Sequence, residues 1–348
     1  MKEVSNMKVA IMPEMGKINI VEVDIPKMLE DEILVKIKAV GICTFEQGFY
    51  YGKSKGFPFA GGHEISGVVE KVGTDVAQKI KEGDKVVVLS LTRCGECYYC
   101  RKGYDNQCMN AKNTQKVKGV DGPGGFAEYF VAKGYEVFKI DDSVPFEIGV
   151  LAEPLACVTH SLNMSNIASG DYVFITGAGA MGIIHLLLAK LRGAKVVISE
   201  PNEIRRDKAL EFGADHVIDP INENIEEVIN RITDGRGVEK AFFTAGGKAA
   251  IEGAISALAL RGTLVIYGGT GAEDIISLDP KMFHYKEITI TGVTKHTKDS
   301  IRVATELLNM KGLPLEKLIT SQFPFDKIED ALKEAKSVTS YRPIVIMD

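Results

Sequence analysis

The sequence predicts an α/β protein in which a β-rich domain is followed by a domain with a doubly wound parallel sheet. Up to about residue 150, short alternating apolar runs are broken by Gly, Pro and Asp, a pattern typical of strands joined by turns. From about residue 165, strand-like runs alternate with helical segments, which indicates right-handed βαβ units. The length of 348 residues also favours two domains.

The individual elements follow from the same patterns. Strands are predicted at residues 8–12, 18–23, 33–40, 65–72, 85–89 and 126–131, and then at 172–176, 195–199, 216–218, 240–244, 263–267 and 287–291. Amphipathic stretches at 300–310 and 328–335 predict helices, and 343–347 predicts a last strand. We expect this tail to return to the first domain, so the predicted domains are 1–155 with 295–348, and 156–294. Because no Ser/Gly/Pro-rich linker separates the halves, we expect them to pack closely around a cleft.

Charge and hydropathy restrict the possible functions. The chain carries 42 Lys and Arg against 47 Asp and Glu, so it lacks the basic surface that nucleic acids or anionic membranes require. No apolar stretch approaches the roughly 18–20 residues of a membrane span, and the first residues show no signal-peptide core. We therefore expect a cytoplasmic protein that binds a small molecule. In that reducing compartment, the four cysteines between Cys94 and Cys108 indicate metal rather than disulfides.

A glycine-rich loop follows the predicted strand 172–176 and precedes a helical segment. Its first glycine permits a tight turn, the second lets the backbone approach a pyrophosphate, and the third lets helix and strand touch. The N–H groups at the start of the helix then face the anion. This context predicts a Rossmann-type dinucleotide site with the loop residues Gly177, Gly179, Ala180, Met181 and Gly182.

Glu200 ends the next predicted strand, 18 residues after Gly182. A carboxylate at this place accepts hydrogen bonds from the adenosine ribose hydroxyls and repels a 2′-phosphate, so Glu200 favours NAD over NADP. Arg205 and Arg206 weaken this preference, because a guanidinium near the ribose tolerates a phosphate. We include Arg205 with Glu200 among the predicted cofactor-binding residues.

The four clustered cysteines are separated by two, two and seven residues, which lets one compact loop place four thiolates around a tetrahedral ion. Zinc suits this ligand set, and four thiolates leave it no open position, so we expect a structural ion. An iron–sulfur cluster is the alternative, although its bacterial motif continues with a shorter spacing and a proline. The predicted structural ligands are Cys94, Cys97, Cys100 and Cys108.

Four further side chains of metal-ligand type, Cys43, His63, Glu64 and Glu153, are scattered in sequence and make no site by spacing alone. The chain resembles the zinc-containing medium-chain alcohol dehydrogenases over essentially its whole length. The resemblance is carried by five features that follow one another along the chain: Cys43, the motif at 61–64, the four-cysteine lobe, the motif at 153–155 and the glycine loop. At Glu153, alcohol dehydrogenases proper carry a cysteine. A glutamate at this position resembles the sorbitol and threonine dehydrogenase branch of the family.

The resemblance implies a chaperonin-10-like catalytic domain and a Rossmann domain, with the active site in the cleft. It implies that Cys43 and His63 bind a catalytic zinc, with either Glu64 or Glu153 as third protein ligand and one position open. Such a zinc lowers the pKa of an alcohol, which then gives a hydride to the nicotinamide. Two zinc ions per chain and a homodimer or homotetramer are further expectations.

One segment departs from the family pattern. Two residues after the zinc cysteine the family carries a Ser or Thr that relays the substrate proton, but this chain has Phe45 there and a hydroxyl one residue earlier, at Thr44. Thr44 or Glu46 would replace the relay, or the proton would leave through water past Glu64. The predicted catalytic residues are therefore Cys43, His63, Glu64 and Thr44.

These residues predict an NAD-dependent zinc dehydrogenase that oxidises a secondary alcohol, namely a polyol, a sugar alcohol or its phosphate, to a ketone. The alternatives are a threonine-type or simple alcohol or diol dehydrogenase, and a non-catalytic dinucleotide-binding scaffold, which the altered relay favours. The zinc-free quinone and enoyl reductases share the fold, but they lack the cysteine lobe and the Cys/His/Glu set.

Overall fold

The computed structural model of the protein describes residues 6–113, 117, 119–271, 273–310 and 312–347. The chain divides into two compact units. The first contains the residues up to Ala156 and those from Thr297 onward, and the second is Cys157–His296. None of the helices in the described chain is long and apolar enough to cross a membrane.

The part of the chain before the second unit is mostly β-structure. Its strands are β1 (Asn6–Ile11), β2 (Asn19–Asp24), β3 (Glu32–Gly41), β4 (Ile65–Val72), β5 (Lys85–Val88), β6 (Leu91–Thr92), β7 (Lys112–Asn113), β8 (Tyr129–Lys133) and β9 (Val137–Lys139). Its helices are α1 (Thr44–Tyr50), α2 (Tyr98–Arg101), α3 (Phe146–Gly149) and α4 (Ala152–Asn163), in which the division between the units falls. Short 3-10 turns lie at Asp105–Gln107 and Gly134–Glu136.

In the second unit strands and helices alternate, and the remaining elements close the first unit. The second unit contains β10 (Tyr172–Thr176), α5 (Ala180–Leu191), β11 (Lys195–Ser199), α6 (Glu203–Glu211), β12 (His216–Ile218), α7 (Ile225–Ile232), β13 (Val238–Phe243), α8 (Gly247–Ser256), β14 (Leu258–Ile266), α9 (Pro280–Lys286) and β15 (Thr289–Gly292). The returning segment contains α10 (Lys298–Leu308), β16 (Ile319–Pro324), α11 (Ile328–Glu334) and β17 (Arg342–Ile346), with 3-10 turns at Leu315–Leu318 and Phe325–Lys327.

In the first unit, the described residues form a sheet in the order β16-β17-β3-β4-β5-β9, and β8 also pairs with β3. The central strand β3 alternates fully buried Ile33, Val35 and Ile37 with less buried neighbours, as a strand with one face on a core requires. Its end pairs with the start of β4, where Val40 lies opposite Ile65. This pairing places the residues that follow β3 beside those that precede β4.

The described strands of the second unit form a parallel sheet in the order β12-β11-β10-β13-β14-β15. Val173, Phe174 and Ile175 of β10 are fully buried, as are the inner residues of β11 and β13, because helices cover both faces of such a sheet. The strand order reverses at β10, and in open α/β sheets ligands bind beyond the carboxyl ends of the strands at that point.

Strand boundaries differ from the predicted ones where the backbone is irregular. β15 begins two residues later than predicted, since Glu287 has a φ of +52° and ends α9. β8 begins at Tyr129, because the preceding residues bridge to β1 instead, with an Ala10 N–H···O=C Phe126 bond of 2.8 Å. β14 begins five residues earlier than predicted and contains Arg261 at a φ of +62°.

Candidate active site

Three side chains of metal-ligand type meet at the paired ends of β3 and β4. Cys43 is the N-cap of α1, two residues after the end of β3, and His63 and Glu64 directly precede β4. One ligand atom from each of the three lies within 4.8 Å of the other two. The Gly41 N–H donates to the Glu64 carbonyl at 2.9 Å, and a Cβ at Gly41 would collide with the Glu64 carboxylate. The sheet therefore assembles residues that are distant in sequence.

Glu46 orients His63 from the buried face of α1. Its side chain is fully buried, and its Oε1 lies 2.7 Å from His63 Nδ1 and accepts from the Gly62 N–H at 3.0 Å. Nδ1 is thereby occupied, which leaves Nε2 for a ligand. Burial by itself lowers the pKa of His63, but the Glu46 carboxylate and the Cys43 sulfur outweigh it and hold this pKa well above its usual value.

Glu64 has a cationic neighbour on the last strand. Arg342 on β17 places Nη1 at 3.1 Å from Glu64 Oε1, donates to the Ile42 carbonyl at 2.9 Å, and is buried like Glu64. Burial is the largest cause that raises the pKa of Glu64 to about 7, although the charges of Arg342 and His63 act against it. The sequence did not predict a role for Arg342, and the available signal was a cation directly before the apolar run 343–347.

Glu153 lies near this cluster but outside it. It occupies the first turn of α4, and its charge raises the pKa of Glu64. Among the described residues, the ligand atoms that come within 4.8 Å of one another include Glu64 and not Glu153.

The two residues after Cys43 differ sharply in their surroundings. Thr44 is exposed, and its Oγ1 lies 3.9 Å from Cys43 Sγ. Phe45 is 46% exposed, and its ring meets the His63 ring edge-on with centroids 5.6 Å apart. Behind Phe45, Phe49 and Phe59 stack at 3.7 Å within the core. Glu46 is enclosed against His63, so Thr44 is the group that reaches both the cysteine sulfur and solvent.

The four clustered cysteines converge in a separate lobe. One sulfur from each lies within 4.8 Å of the others, and Cys94 and Cys108 are 3.5 Å apart. None of them forms a disulfide. The Cys97 N–H donates to the Cys94 sulfur at 3.3 Å, and this bond leads the causes that lower the pKa of Cys94 to about 6. Backbone N–H groups also lower the pKa of Cys97, whereas burial raises the pKa of Cys100 to about 12. Cys94 and Cys97 therefore favour the thiolate, which is the form that binds metal.

The glycine loop lies at the carboxyl end of β10. Gly177 has a φ of +89°, and a Cβ at Gly182 would collide with the Gly177 carbonyl, so α5 begins in close contact with the strand. A cavity of about 500 Å³ opens beside the loop. Its lining residues are Thr176, Gly177, Ser199, Glu200, Pro201, Arg205, Pro220, Ile225, Ala245, Gly246, Ala249 and Ala250. Gly179, Ala180, Met181 and Gly182 do not line this cavity but form the start of α5.

Glu200 also supports the loop that it faces. Its Oε2 accepts from the Ala178 N–H at 2.8 Å, and its Oε1 accepts from the Asn202 N–H at 3.0 Å. Arg206 pairs with Asp219 at 3.1 Å and donates to the Glu200 carbonyl, so it is engaged away from the cavity lining. Of the two arginines that the sequence pointed to, only Arg205 lines the cavity.

Comparison with known proteins defines the class. The alcohol dehydrogenase GroES-like domain family matches residues 29–142, and the zinc-binding dehydrogenase family matches residues 180–309. The chain therefore belongs to the zinc-containing medium-chain alcohol dehydrogenases, a family of oxidoreductases. Its fold combines a chaperonin-10-like domain with a Rossmann domain. This confirms the family and the fold class predicted from the sequence.

Individual relatives differ in their named substrates. The chain is 35% identical over 322 residues to an L-threonine 3-dehydrogenase of Pyrococcus horikoshii, with 90% of each chain covered. It is 31% identical over 336 residues to a sorbitol dehydrogenase of Bacillus subtilis, covering 95% of this chain and 94% of that one. The crystal structure of galactitol-1-phosphate dehydrogenase from Escherichia coli superposes with a TM-score of 0.87 at 25% identity, covering 97% and 99% of the two chains.

Proposed function

We propose that the protein transfers a hydride from a secondary alcohol of the polyol class, a sugar alcohol or its phosphate, to NAD and produces a ketone. The observation that carries this proposal is the cluster of Cys43, His63 and Glu64 in a chain of this family. The sorbitol and galactitol-1-phosphate dehydrogenases among the similar proteins support the substrate class.

The residues at the paired ends of β3 and β4 fit a zinc ion. Thiolate, imidazole and carboxylate are zinc ligands, and three of them leave one position open. Glu64 Oε2 is buried, and no described residue donates a hydrogen bond to it, as expected of an oxygen that faces a metal. Cys43 Sγ, His63 Nε2 and Glu64 would hold the ion, with Glu153 as the alternative carboxylate. A zinc ion bound there would supply Lewis acidity toward the substrate hydroxyl, and a bound nicotinamide would supply the hydride acceptor.

The chain's own residues complete the chemistry. Glu46 fixes the ring orientation of His63 through the Nδ1 bond, and Arg342 compensates the buried charge of Glu64. Thr44 would take the hydroxyl proton and pass it to solvent, since the residue is exposed and its Oγ1 lies 3.9 Å from Cys43 Sγ. Phe45 packs edge-on against His63 and Phe59, and its exposed part would provide apolar surface beside the proposed metal ligands.

A second zinc is proposed for the four-cysteine lobe. The four sulfurs converge without a disulfide, and the backbone N–H groups around Cys94 favour its thiolate. Four thiolates close the coordination shell, so this ion would serve structure and not catalysis.

The cofactor preference is proposed to be NAD. Glu200 lines the cavity, and its carboxylate oxygens can each accept a further hydrogen bond besides those from the backbone. The negative charge disfavours a 2′-phosphate, whereas Arg205 favours one. Comparison of kcat/KM for NAD and NADP tests this. Glu200→Gln should shift the ratio toward NADP, whereas the exposed Glu203→Gln should leave it unchanged, and a wild-type preference for NADP would overturn the assignment.

A panel of alcohols tests the reaction. Purified zinc-loaded protein is incubated with NAD and polyols, sugar-alcohol phosphates, vicinal diols or L-threonine, and NADH formation is followed by absorbance. We expect turnover with polyols or their phosphates, and none with the Cys43→Ser variant. Turnover with L-threonine alone would replace the polyol proposal by a threonine dehydrogenase, which the relative from Pyrococcus horikoshii favours. Silence across the panel would support the non-catalytic scaffold.

We also propose a homo-oligomer. β15 is the edge strand of the second sheet within the described residues, and it presents unpaired backbone groups on its outer side. Pairing of this edge with a second copy would give a homodimer, from which a homotetramer can be built. Light scattering after size exclusion measures the mass, and a monomer at micromolar concentration would contradict the proposal.

A further inference from the structure

We propose that Asp105 is a positioning residue that joins the four-cysteine lobe to the first turn of α10, so that metal binding in the lobe and folding of that turn stabilise each other. The metal half of this inference rests on the proposed zinc ion in the lobe. The contact between lobe and helix is a property of the chain itself.

On the lobe side, Asp105 connects the two ends of the cysteine segment. It lies three residues before Cys108, in the 3-10 turn, and Arg93 directly precedes Cys94. Arg93 Nε lies 3.5 Å from Asp105 Oδ2, and the two side chains are only 2% and 12% exposed. This buried ion pair therefore holds the first and last cysteines in register.

On the helix side, the same carboxylate caps α10. The Lys298 N–H, at the first residue of the helix, donates to both oxygens of Asp105 at 3.3 and 3.2 Å. The first N–H groups of a helix have no partner within the helix, and a carboxylate at this end is stabilising. Thr297 caps the Ser300 N–H at 3.1 Å, so Asp105 adds a cap that comes from 193 residues away in sequence.

Tyr135 closes the set of contacts. Its hydroxyl donates to the Arg93 carbonyl at 3.0 Å, and Lys298 Nζ lies 4.2 Å from the centre of its ring. Arg93, Asp105, Lys298 and Tyr135, which we term the Asp105 cluster, therefore form a closed cycle of contacts. The cycle thus links the cysteine segment to the 3-10 turn that contains Tyr135 and to α10.

The energetic consequence follows from burial. Arg93 is 3% exposed, so removal of the Asp105 charge would take an ion-pair partner from a buried guanidinium, which is a costly change. The same change weakens the cap on Lys298. Coupling between two binding or folding events is reciprocal, so if folding of the first turn of α10 raises the zinc affinity of the lobe by some factor, zinc binding favours folding of that turn by the same factor.

The test compares zinc release with local hydrogen exchange in Asp105→Asn. A colorimetric chelator measures how fast zinc leaves the protein, and the slower phase is assigned to the zinc of the four-cysteine lobe. Hydrogen exchange is followed at the backbone amides of Lys298 and of the helical turn after it. We expect Asp105→Asn to release this zinc about tenfold faster and to lose about tenfold protection at α10, the size of a lost hydrogen bond to a charged group. In the wild type, removal of the zinc should lower the protection of the α10 amides from hydrogen exchange. In Asp105→Asn, removal of the zinc should change this protection little further, because the lobe and the helix are already uncoupled.

Matched variants separate this coupling from general destabilisation. Glu306→Gln removes an acid from a later turn of the same helix, and Glu96→Gln removes one from the lobe, but both side chains are exposed and neither lies at the start of α10. Both variants should behave as the wild type. His63→Ala, which would lose only the catalytic zinc, should keep wild-type protection at α10 and so shows that the effect of stripping comes from the lobe.

Wild-type zinc release and wild-type protection at α10 in Asp105→Asn would overturn the inference. If that variant does not fold, Tyr135→Phe removes only the bond to the Arg93 carbonyl, and it should show a smaller change of the same sign in both measurements. A lobe that holds no metal would overturn the proposed structural zinc, and retained α10 protection in the variant would then independently refute the role of Asp105.

Discussion

Glu46 decides which nitrogen of His63 is available to a ligand. Its carboxylate contacts Nδ1 at 2.7 Å and is fully buried, so a turn of the ring would take a hydrogen-bond partner from a buried carboxylate. From the sequence, Glu46 was only a candidate proton relay. The structure places it on the inner face of α1, because α1 is a short helix in which positions 46, 49 and 50 face the core.

Glu46→Gln tests this orienting role. We expect the affinity of the catalytic site for zinc to fall by about 10- to 100-fold, because the partner of a ligating histidine loses its charge. Competition with a fluorescent chelator measures the affinity, and Cys43→Ser supplies the signal of the lobe alone. The exposed Glu70→Gln serves as control, and equal zinc affinity in Glu46→Gln and in the control would refute the role.

Thr44→Val tests the proton path. If the Thr44 hydroxyl carries the substrate proton, turnover with the best alcohol should fall by about 10²- to 10⁴-fold while zinc content stays full, because general acid–base assistance is lost. Thr44→Ser keeps the hydroxyl and should retain most of the turnover. Unchanged turnover in Thr44→Val would shift the relay to water near Glu64.

At the scale of elements, α1 brings together several of the proposed roles. It starts at the Cys43 N-cap, exposes Thr44 and Phe45, and buries Glu46. Its far end is attached to α11, where the Tyr50 hydroxyl donates to Glu329 at 2.9 Å. Burial and the Glu329 carboxylate raise the pKa of Tyr50 to about 12, so this bond persists across the physiological pH range. The geometry of the site therefore depends on a helix from the returning segment.

The contact between α4 and α5 gives a prediction on acid stability. His185 is fully buried, with Nδ1 at 2.7 Å from the Met181 carbonyl and Nε2 at 2.9 Å from the Ser161 hydroxyl. Burial lowers its pKa from 6.5 to about 4. The unfolded chain therefore takes up the proton first as the pH falls. The stabilisation by neutral His185 is complete above pH 6.5 and is lost between pH 6.5 and 4, an effect of about 3 kcal/mol.

His185→Gln removes this titration and keeps a polar side chain. The variant should be less stable than the wild type near pH 7, and the difference between their thermal midpoints should shrink as the pH falls toward 4. The exposed His216→Gln controls for loss of a histidine elsewhere in the same unit. A difference that stays constant with pH would show that His185 titrates normally in the fold.

At the scale of the whole molecule, the two predicted metal sites can be counted. Metal analysis of the wild type should give two zinc ions per chain, and Cys43→Ser and Cys97→Ser should each lose one. Only the second variant should lose thermal stability markedly, because the lobe ion organises a segment with little core of its own. Iron in place of zinc, or a stoichiometry that Cys97→Ser does not change, would contradict the assignment.

The family, the fold class and most strands could be predicted from the amino-acid sequence alone. The runs at 65–72 and 172–176 coincide with β4 and β10, because their side-chain periodicity is a local property. The glycine loop and the spacing of the four cysteines were equally visible, since each site is assembled within one short segment. Local pattern was sufficient wherever the interacting residues are near in sequence.

The way in which residues distant in sequence combine could not be predicted and is seen in the folded chain. The tertiary structure placed Glu64, and not Glu153, among the converging ligand atoms, paired Glu64 with Arg342 from the last strand, and turned Glu46 onto His63. It also joined Asp105 to α10 across 193 residues. The physical reason is that these contacts depend on strand register and on burial of charge, which arise when β3, β4 and β17 pair and leave no periodic trace in the chain.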